Sequence, residues 1–278
     1  MTLSIHRLRI ATALFVFAAV LAFSSAPSSR AEAAPPAAAA DSQPNVASRI
    51  QPLRPGFHFP YGDTLHYEGE WRFIPAGVAT LRIEQSGGQN HIAATADSSG
   101  VVAMLYRVQD RLNSYFDASK LCSNKVVKHT EEGSRQRETV VTYDYRRGKA
   151  VLEERNLKDN QQKKMESDIP GCVTDMISGI LYVASLPLQP GDVYTFPVND
   201  GGKTVTARAH VEAREEIKTP AGTFKAVRVG PEGDSGALLK NKGHIWIWYS
   251  DDDRHLPVQI RVKLFWGVVT VYLASVSK

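Results

Sequence analysis

Apolar and polar residues alternate with period two along most of this chain. The runs are short and are broken by Gly, Pro, Asn and Ser, a pattern that fits half-buried strands and not helices. Thr64–Trp71 puts Leu65, Tyr67 and Trp71 on one face. Pro75, Ala76 and Gly77 then turn the chain, and residues 78–84 return with Ala79, Leu81 and Ile83 on one side and Thr80, Arg82 and Glu84 on the other. Residues 91–96 and 112–116 continue the pattern. Residues 126–131, 137–145 and 150–155 read as a charged antiparallel stretch; a polar face carrying both signs keeps exposed or edge strands soluble. Residues 101–108 fit a short helix or a bent strand and are read as strand. Strands resume at 204–217, 224–229, 245–249, 257–265 and 268–274, separated by turns at 219–223 and 250–254.

One segment, at about 174–186, has helical spacing. Thr174 can cap it, Asp175 lies in the first turn, and Met176, Ile177, Ile180, Leu181 and Ala184 form an apolar face that Pro187 ends. A helix this short is not stable alone in water, so it must pack on the sheet. The expected fold class is mainly β: an antiparallel, strongly curved sheet, open barrel or sandwich with one packed α-helix.

The first residues give an address. Arg7 and Arg9 precede an apolar run at 10–23, and small residues follow through Ala33. This is the layout of a secretory signal peptide, and the run is shorter than the ~20 residues of a spanning helix. The expected organisation is a signal peptide at 1–33, a flexible Ala/Pro-rich tether at 34–55 and a single β domain at 56–278. No cysteine lies near the cleavage region, so the expectation is a periplasmic or secreted protein that is not a lipoprotein and has no transmembrane segment after cleavage. Over the whole chain 33 basic residues face 29 acidic ones. Without Arg7, Arg9, Arg30 and Glu32 the counts become 30 and 28, a net of +2. No basic face is clustered, which argues against a nucleic-acid partner.

Cys122 and Cys172 are the two cysteines. In an oxidising compartment one intramolecular disulfide is the favoured reading, with two separate buried thiols as the alternative. Asp251, Asp252 and Asp253 lack the spacing of a calcium loop and read as a hairpin turn, while His244 and His255 lack further zinc ligands. No nucleophile elbow, zinc-protease motif or phosphate loop occurs. No catalytic residue, metal site or cofactor is therefore assigned. The remaining lead is aromatic. Trp246 and Trp248 share one face of a strand whose other face carries Ile245, Ile247 and Tyr249. Such a strand is buried on both faces. It either packs a solid core or borders a cavity lined by Trp71, Trp246, Trp248 and Trp266 that accepts an acyl chain or similar ligand.

The order of several pieces adds a likeness. They are Gly62-Asp63-Thr64-Leu65-His66-Tyr67, Ala76-Gly77-Val78-Ala79, the segment at 174–182, Leu188-Gln189-Pro190-Gly191-Asp192, Thr219 to Phe224, Ile245 to Asp252 and Leu256-Pro257-Val258. Together they resemble a family of uncharacterised exported bacterial proteins, the domain of unknown function 3108 type, from about Tyr61 onward. The resemblance implies an exported, mostly antiparallel β domain of a Gram-negative type of envelope, with no catalytic residues to carry over. The outline is also similar to the curved half-barrels of periplasmic lipoprotein carriers, a likeness of fold alone.

These readings combine into a non-catalytic cell-envelope protein that binds or carries an apolar or amphipathic component such as a lipid. The alternatives are an envelope assembly or interaction protein with a solid core, and a hydrolase of an envelope polymer.

Overall fold

A computed structural model describes residues 49–233, 243–264 and 267–278. The segment read as a signal peptide, 1–33, and residues 34–48 of the stretch read as tether lie outside these residues. The first half of the body is a meander of β1 (Thr64–Trp71), β2 (Ile74–Ser86), β3 (Gln89–Ser98), β4 (Val108–Asp117), β5 (Ser123–Glu132), β6 (Arg135–Asp144), β7 (Lys149–Asn156) and β8 (Gln162–Asp168). A short helix, α1 (Gly100–Leu105), interrupts it before β4, and α2 (Met176–Ala184) follows β8. A second meander comprises β9 (Val193–Asn199), β10 (Thr204–Thr219), β11 (Gly222–Glu232), β12 (His244–Ser250), β13 (Pro257–Leu264) and β14 (Gly267–Ser277). All fourteen strands form one antiparallel sheet, ordered β8-β7-β6-β5-β4-β3-β2-β1-β14-β13-β12-β11-β10-β9. The β1–β14 pair joins the two meanders, from Thr64 opposite Ser277 to Trp71 opposite Val269.

The sheet is strongly curved and is not closed by a ladder. Its edge strand β8 is tied to the far side by side chains: Asn199 Nδ2 of β9 donates to Ser167 Oγ at 3.5 Å, and Thr204 Oγ1 of β10 donates to the Asp168 carbonyl at 3.1 Å. The chain after β8 helps to fill the gap. Thr174 bridges Val198 in parallel, and Ser123 N donates to the Val173 carbonyl at 2.8 Å. Cys122 and Cys172 form a disulfide in this region with Cα atoms 5.1 Å apart.

The alternation in the sequence produces the core. Val108, Asp110, Leu112, Ser114 and Phe116 of β4 are buried while their neighbours are not. Ala79, Leu81 and Ile83 of β2 and Ile92 and Ala94 of β3 point the same way, into the concave side. The stretch read as tether is partly built into this body. Ile50 and Leu53 pack against the core and Arg54 N donates to the Ser185 carbonyl at 3.0 Å; just beyond the stretch, Phe57 and Phe59 are buried edge to face with centroids 5.0 Å apart.

Two local readings are corrected. Residues 100–105 are helical, not strand, because the chain leaves β3 through Ser99, whose N–H is taken by the Ala76 carbonyl, and only Val102 turns inward. The N-cap of α2 is Asp175, not Thr174. Asp175 Oδ1 accepts from the backbone of Ile177 and Ser178, whereas Thr174 Oγ1 donates outward to the Pro197 carbonyl.

Candidate functional site

Helix α2 lies in the concavity of the sheet and is held from both sides. Asp175, 3% exposed, uses Oδ2 to accept from Ser114 at 2.6 Å, Ser123 at 2.7 Å and Ser178 at 2.8 Å. With the two backbone donors at Oδ1, its carboxylate has five partners. Such charge-assisted bonds let a charge sit in a core. The other end of the helix is tied to the second meander. Tyr249 Oη donates to the Ile180 carbonyl at 3.0 Å, and His255 Nδ1–H donates to the Ala184 carbonyl at 2.8 Å.

Held this way, α2 does not fill the space beneath it. A narrow apolar cleft of about 60 Å³, partly open to solvent, lies between the helix and β9–β13. Met176, Ile177 and Ile180 form its helical wall, Phe196, Val198, Ala207 and Ala209 one side, and Val229, Ile245, Ile247 and Ile260 the floor. Its surface is nearly all carbon, so it suits a hydrocarbon chain and offers almost nothing to a polar one.

Met176 also borders a smaller recess on the first meander, with Lys128, Tyr143, Asp175 and Asn199. Lys128 is 8% exposed. Burial holds its ammonium below the ordinary lysine value, against the opposing charges of Asp200, Asp175, Glu154 and Asp110. Arg137 and Glu154 pair at 2.8 Å on this meander. Farther along it, Asp110 and Glu132 are buried side by side. Burial raises both carboxyls above their ordinary values, and the charge of Asp110 raises Glu132 further. The concave side is thus apolar along β9–β13 and carries ionisable groups along β4–β7.

The tryptophans sit elsewhere. Helix α2 does face β12, but through Ile245, Ile247 and Tyr249. Trp246 and Trp248 are on the convex face, where Trp248 Nε1 donates to Glu215 Oε2 at 3.0 Å and Arg228 pairs with both Glu212 and Glu215. Trp248 is buried there because the β10–β11 hairpin folds over it: Ala221 at the hairpin tip donates its N–H to the Leu273 carbonyl, and Asp251 N donates to the Lys225 carbonyl. Trp71 ends β1 beside Val269, under the Arg72 guanidinium at 5.5 Å, away from the cleft. Trp266 lies outside the described residues.

The acidic turn is structural. Asp252 Oδ1 accepts from Ser250 Oγ and from the backbone of Arg254 and His255, Oδ2 pairs with Arg254, and Asp251 pairs with Arg214. His244 stacks on Trp246 at the start of β12, whereas His255 is buried beyond its other end, so the two histidines are not a pair. Among the described residues no group of three His, Cys, Asp or Glu side chains is placed to hold a metal.

Comparison with solved structures places this architecture among β-barrel-like folds. A β-barrel-like protein of domain of unknown function DUF1849 from Brucella abortus superposes with a TM-score of 0.54 at 10% identity, covering 83% of this chain and 99% of that one. Weaker likenesses are to a candidate exported protein with a YmcC-like fold from Bacteroides fragilis (TM-score 0.37, 9% identity, 80% of this chain and 99% of that one) and a candidate lipoprotein from Parabacteroides distasonis (0.36, 12%, 80% and 98%). No curated protein matches the chain in sequence. The sequence profile of DUF3108, described as a protein of unknown function, matches residues 65–274, and the chain belongs to that family.

Proposed function

We propose that this chain is a non-catalytic binding protein of the cell envelope, and that it holds the hydrocarbon part of an amphipathic ligand in the cleft under α2. The observation that carries the reading is that cleft, on the concave side of a curved sheet, with a wall that is almost all carbon. Close-packed cores leave few voids larger than a water molecule, and this one runs along an entire helix face. The adjoining recess with Lys128 and Tyr143 supports a ligand that has a polar end.

Reading the chain as a binder and not an enzyme rests on how its interior carboxyls are used. Asp175 is taken up by five donors, Glu154 by Arg137, and Asp110 and Glu132 are sealed together. Export to the envelope is supported by the basic, apolar and small-residue succession at 1–33 and by the disulfide, which belongs in an oxidising compartment.

The test is titration with 1-N-phenylnaphthylamine, an apolar dye that brightens on leaving water. The expected result is saturable binding that falls at least tenfold in Ile180→Trp, which fills the cleft, while the melting temperature stays close to that of the parent. An absence of saturable binding in the parent chain, or equal binding in the variant, would overturn the reading.

A further inference from the structure

The most exposed large apolar side chains gather at one end of the sheet. Phe73, at the tip of the β1–β2 turn, is 93% exposed, and Ile74 beside it is 46% exposed. Helix α1 adds Met104 at 87% and Val101 and Leu105 at 62% each. The two segments are neighbours: the Ala76 carbonyl accepts from Ser99 N, and a Cβ added at Gly100 would come within 3.8 Å of the Pro75 carbonyl. Single exposed apolar residues need no explanation, but a cluster does.

The β1–β2 turn departs from good folding chemistry in a second way. Arg72 has φ 49° and Phe73 has φ 70°. A tight hairpin with two such residues favours Asn-Gly or Gly-Gly, and a bulky aromatic in this region is uncommon. The turn therefore spends stability to hold a phenyl ring in solvent, a conflict of the kind that marks functional sites.

We propose that this tip docks the protein on an anionic lipid bilayer, with Phe73, Ile74, Met104 and Leu105 entering the acyl boundary. The flanking chemistry selects a bilayer over a protein partner. Trp71-Arg72 leads into Phe73-Ile74, and Tyr106-Arg107 follows Met104-Leu105. Each apolar segment thus carries an aromatic and an arginine at its base. Trp and Tyr settle at the headgroup level, and arginines there meet lipid phosphates. Arg72 and Arg107 are both exposed. Arg72 lies over the Trp71 ring, Arg107 donates to Gln109 at 2.6 Å, and Asp97 is paired with Arg111 at 2.9 Å. The proposal uses surface residues that the cleft reading does not use, so either can fail without the other.

Both native cysteines are in the disulfide, so one introduced thiol can be labelled selectively. Met104→Cys carries an environment-sensitive fluorophore in one preparation of the full chain. Ser86→Cys, exposed at the opposite end of β2, carries it in another. Vesicles of phosphatidylglycerol and phosphatidylethanolamine should shift the label at 104 to the blue and leave the label at 86 unchanged. In flotation of the unlabelled chain, Phe73→Ser with Met104→Ser should weaken vesicle partition at least tenfold. Arg72→Gln with Arg107→Gln should weaken partition to anionic vesicles and flatten its salt dependence. These positions are on the surface, so circular dichroism and melting should match the parent. No shift at 104, equal shifts at both sites, or partition unaffected by the serine variants would overturn the proposal. So would retention of a purified envelope protein through Phe73 and Met104 by a chain that does not bind vesicles.

Discussion

Glu132→Gln should change how stability depends on pH. Asp110 of β4 and Glu132 of β5 are 1% and 2% exposed. Asp110 Oδ1 accepts from Glu131 N at 3.0 Å, but Asp110 Oδ2 and Glu132 Oε1 meet no N–H or O–H donor of the protein. One proton held between the two carboxyls satisfies both oxygens and avoids two adjacent buried charges. Burial is the first cause that raises each carboxyl above its ordinary value, and for Glu132 the charge of Asp110 is the second. Above the ordinary glutamate range the folded chain therefore keeps a proton that the unfolded chain has lost. Stability then falls as pH rises, by about 1.4 kcal/mol per pH unit for one proton, until the pH passes the raised value. From pH 6 to 8 the ceiling is about 2.7 kcal/mol. Glutamine keeps the shape and offers an N–H to Asp110 without titrating. In urea unfolding with the disulfide intact, the variant should gain on the parent by about 2 kcal/mol, and by no more than about 2.7 kcal/mol, across that interval. His255 is present in both chains, so its titration cancels in the comparison. Parallel profiles for the two proteins would refute the shared proton.

Leu181→Ala should cost about 2–5 kcal/mol, because Leu181 is 2% exposed and cannot be replaced by solvent; Ile180→Ala, at the cleft wall, should cost less and alter dye binding more. Gly179→Ala should raise the melting temperature, by a stabilisation of about 0.5–1 kcal/mol, since a Cβ there meets Thr174 Oγ1 at 3.4 Å and Phe196 at 3.6 Å, close to ordinary contact. Cys172→Ser should lose about 4 kcal/mol in oxidising buffer, from a closure spanning a sequence separation of 50, read by denaturant midpoint. His255 is held below its ordinary value, first by burial and then by Arg54. The unfolded chain thus binds a proton that the folded chain refuses, and stability falls as pH drops below about 6.5. His255→Asn, which can keep the bond to Ala184 and tolerates the φ of 45°, should flatten that acid limb.

The period-two alternation made the antiparallel class legible, and helical spacing with Pro187 located α2. The edge strand β8 is not legible because Gln162–Asp168 has one apolar residue, Met165, and none of the strand is buried. The parity of β12 was legible too, but not which face meets the cleft. Aromatic bulk drew attention to Trp246 and Trp248, while Ile245 and Ile247 form the floor. Deciding between the faces requires knowing that the β10–β11 hairpin folds over the convex side, a long-range event with no local sequence signal. Lys128, Asp110 and Glu132 look like the solvent-facing residues of a charged strand; only sheet curvature turns them inward.

That curvature also explains why the interior has two characters. The first meander supplies the polar wall and the second the apolar one, and they are joined through β1 and β14 on one side and side-chain bonds from β9 and β10 to β8 on the other. Helix α2 is anchored to both: its N-terminus to Ser114 and Ser123 of the first, and its middle and end to Tyr249 and His255 of the second. A helix fixed at both ends has little freedom to move, so the proposed ligand would meet a site whose walls are already placed. A ligand that enters then orders little protein, so most of the apolar area it buries contributes to affinity. The same anchoring means that cleft-wall substitutions such as Ile180→Trp should act on binding directly, whereas changes at Asp175 should act through the position of the whole helix and move stability and binding together.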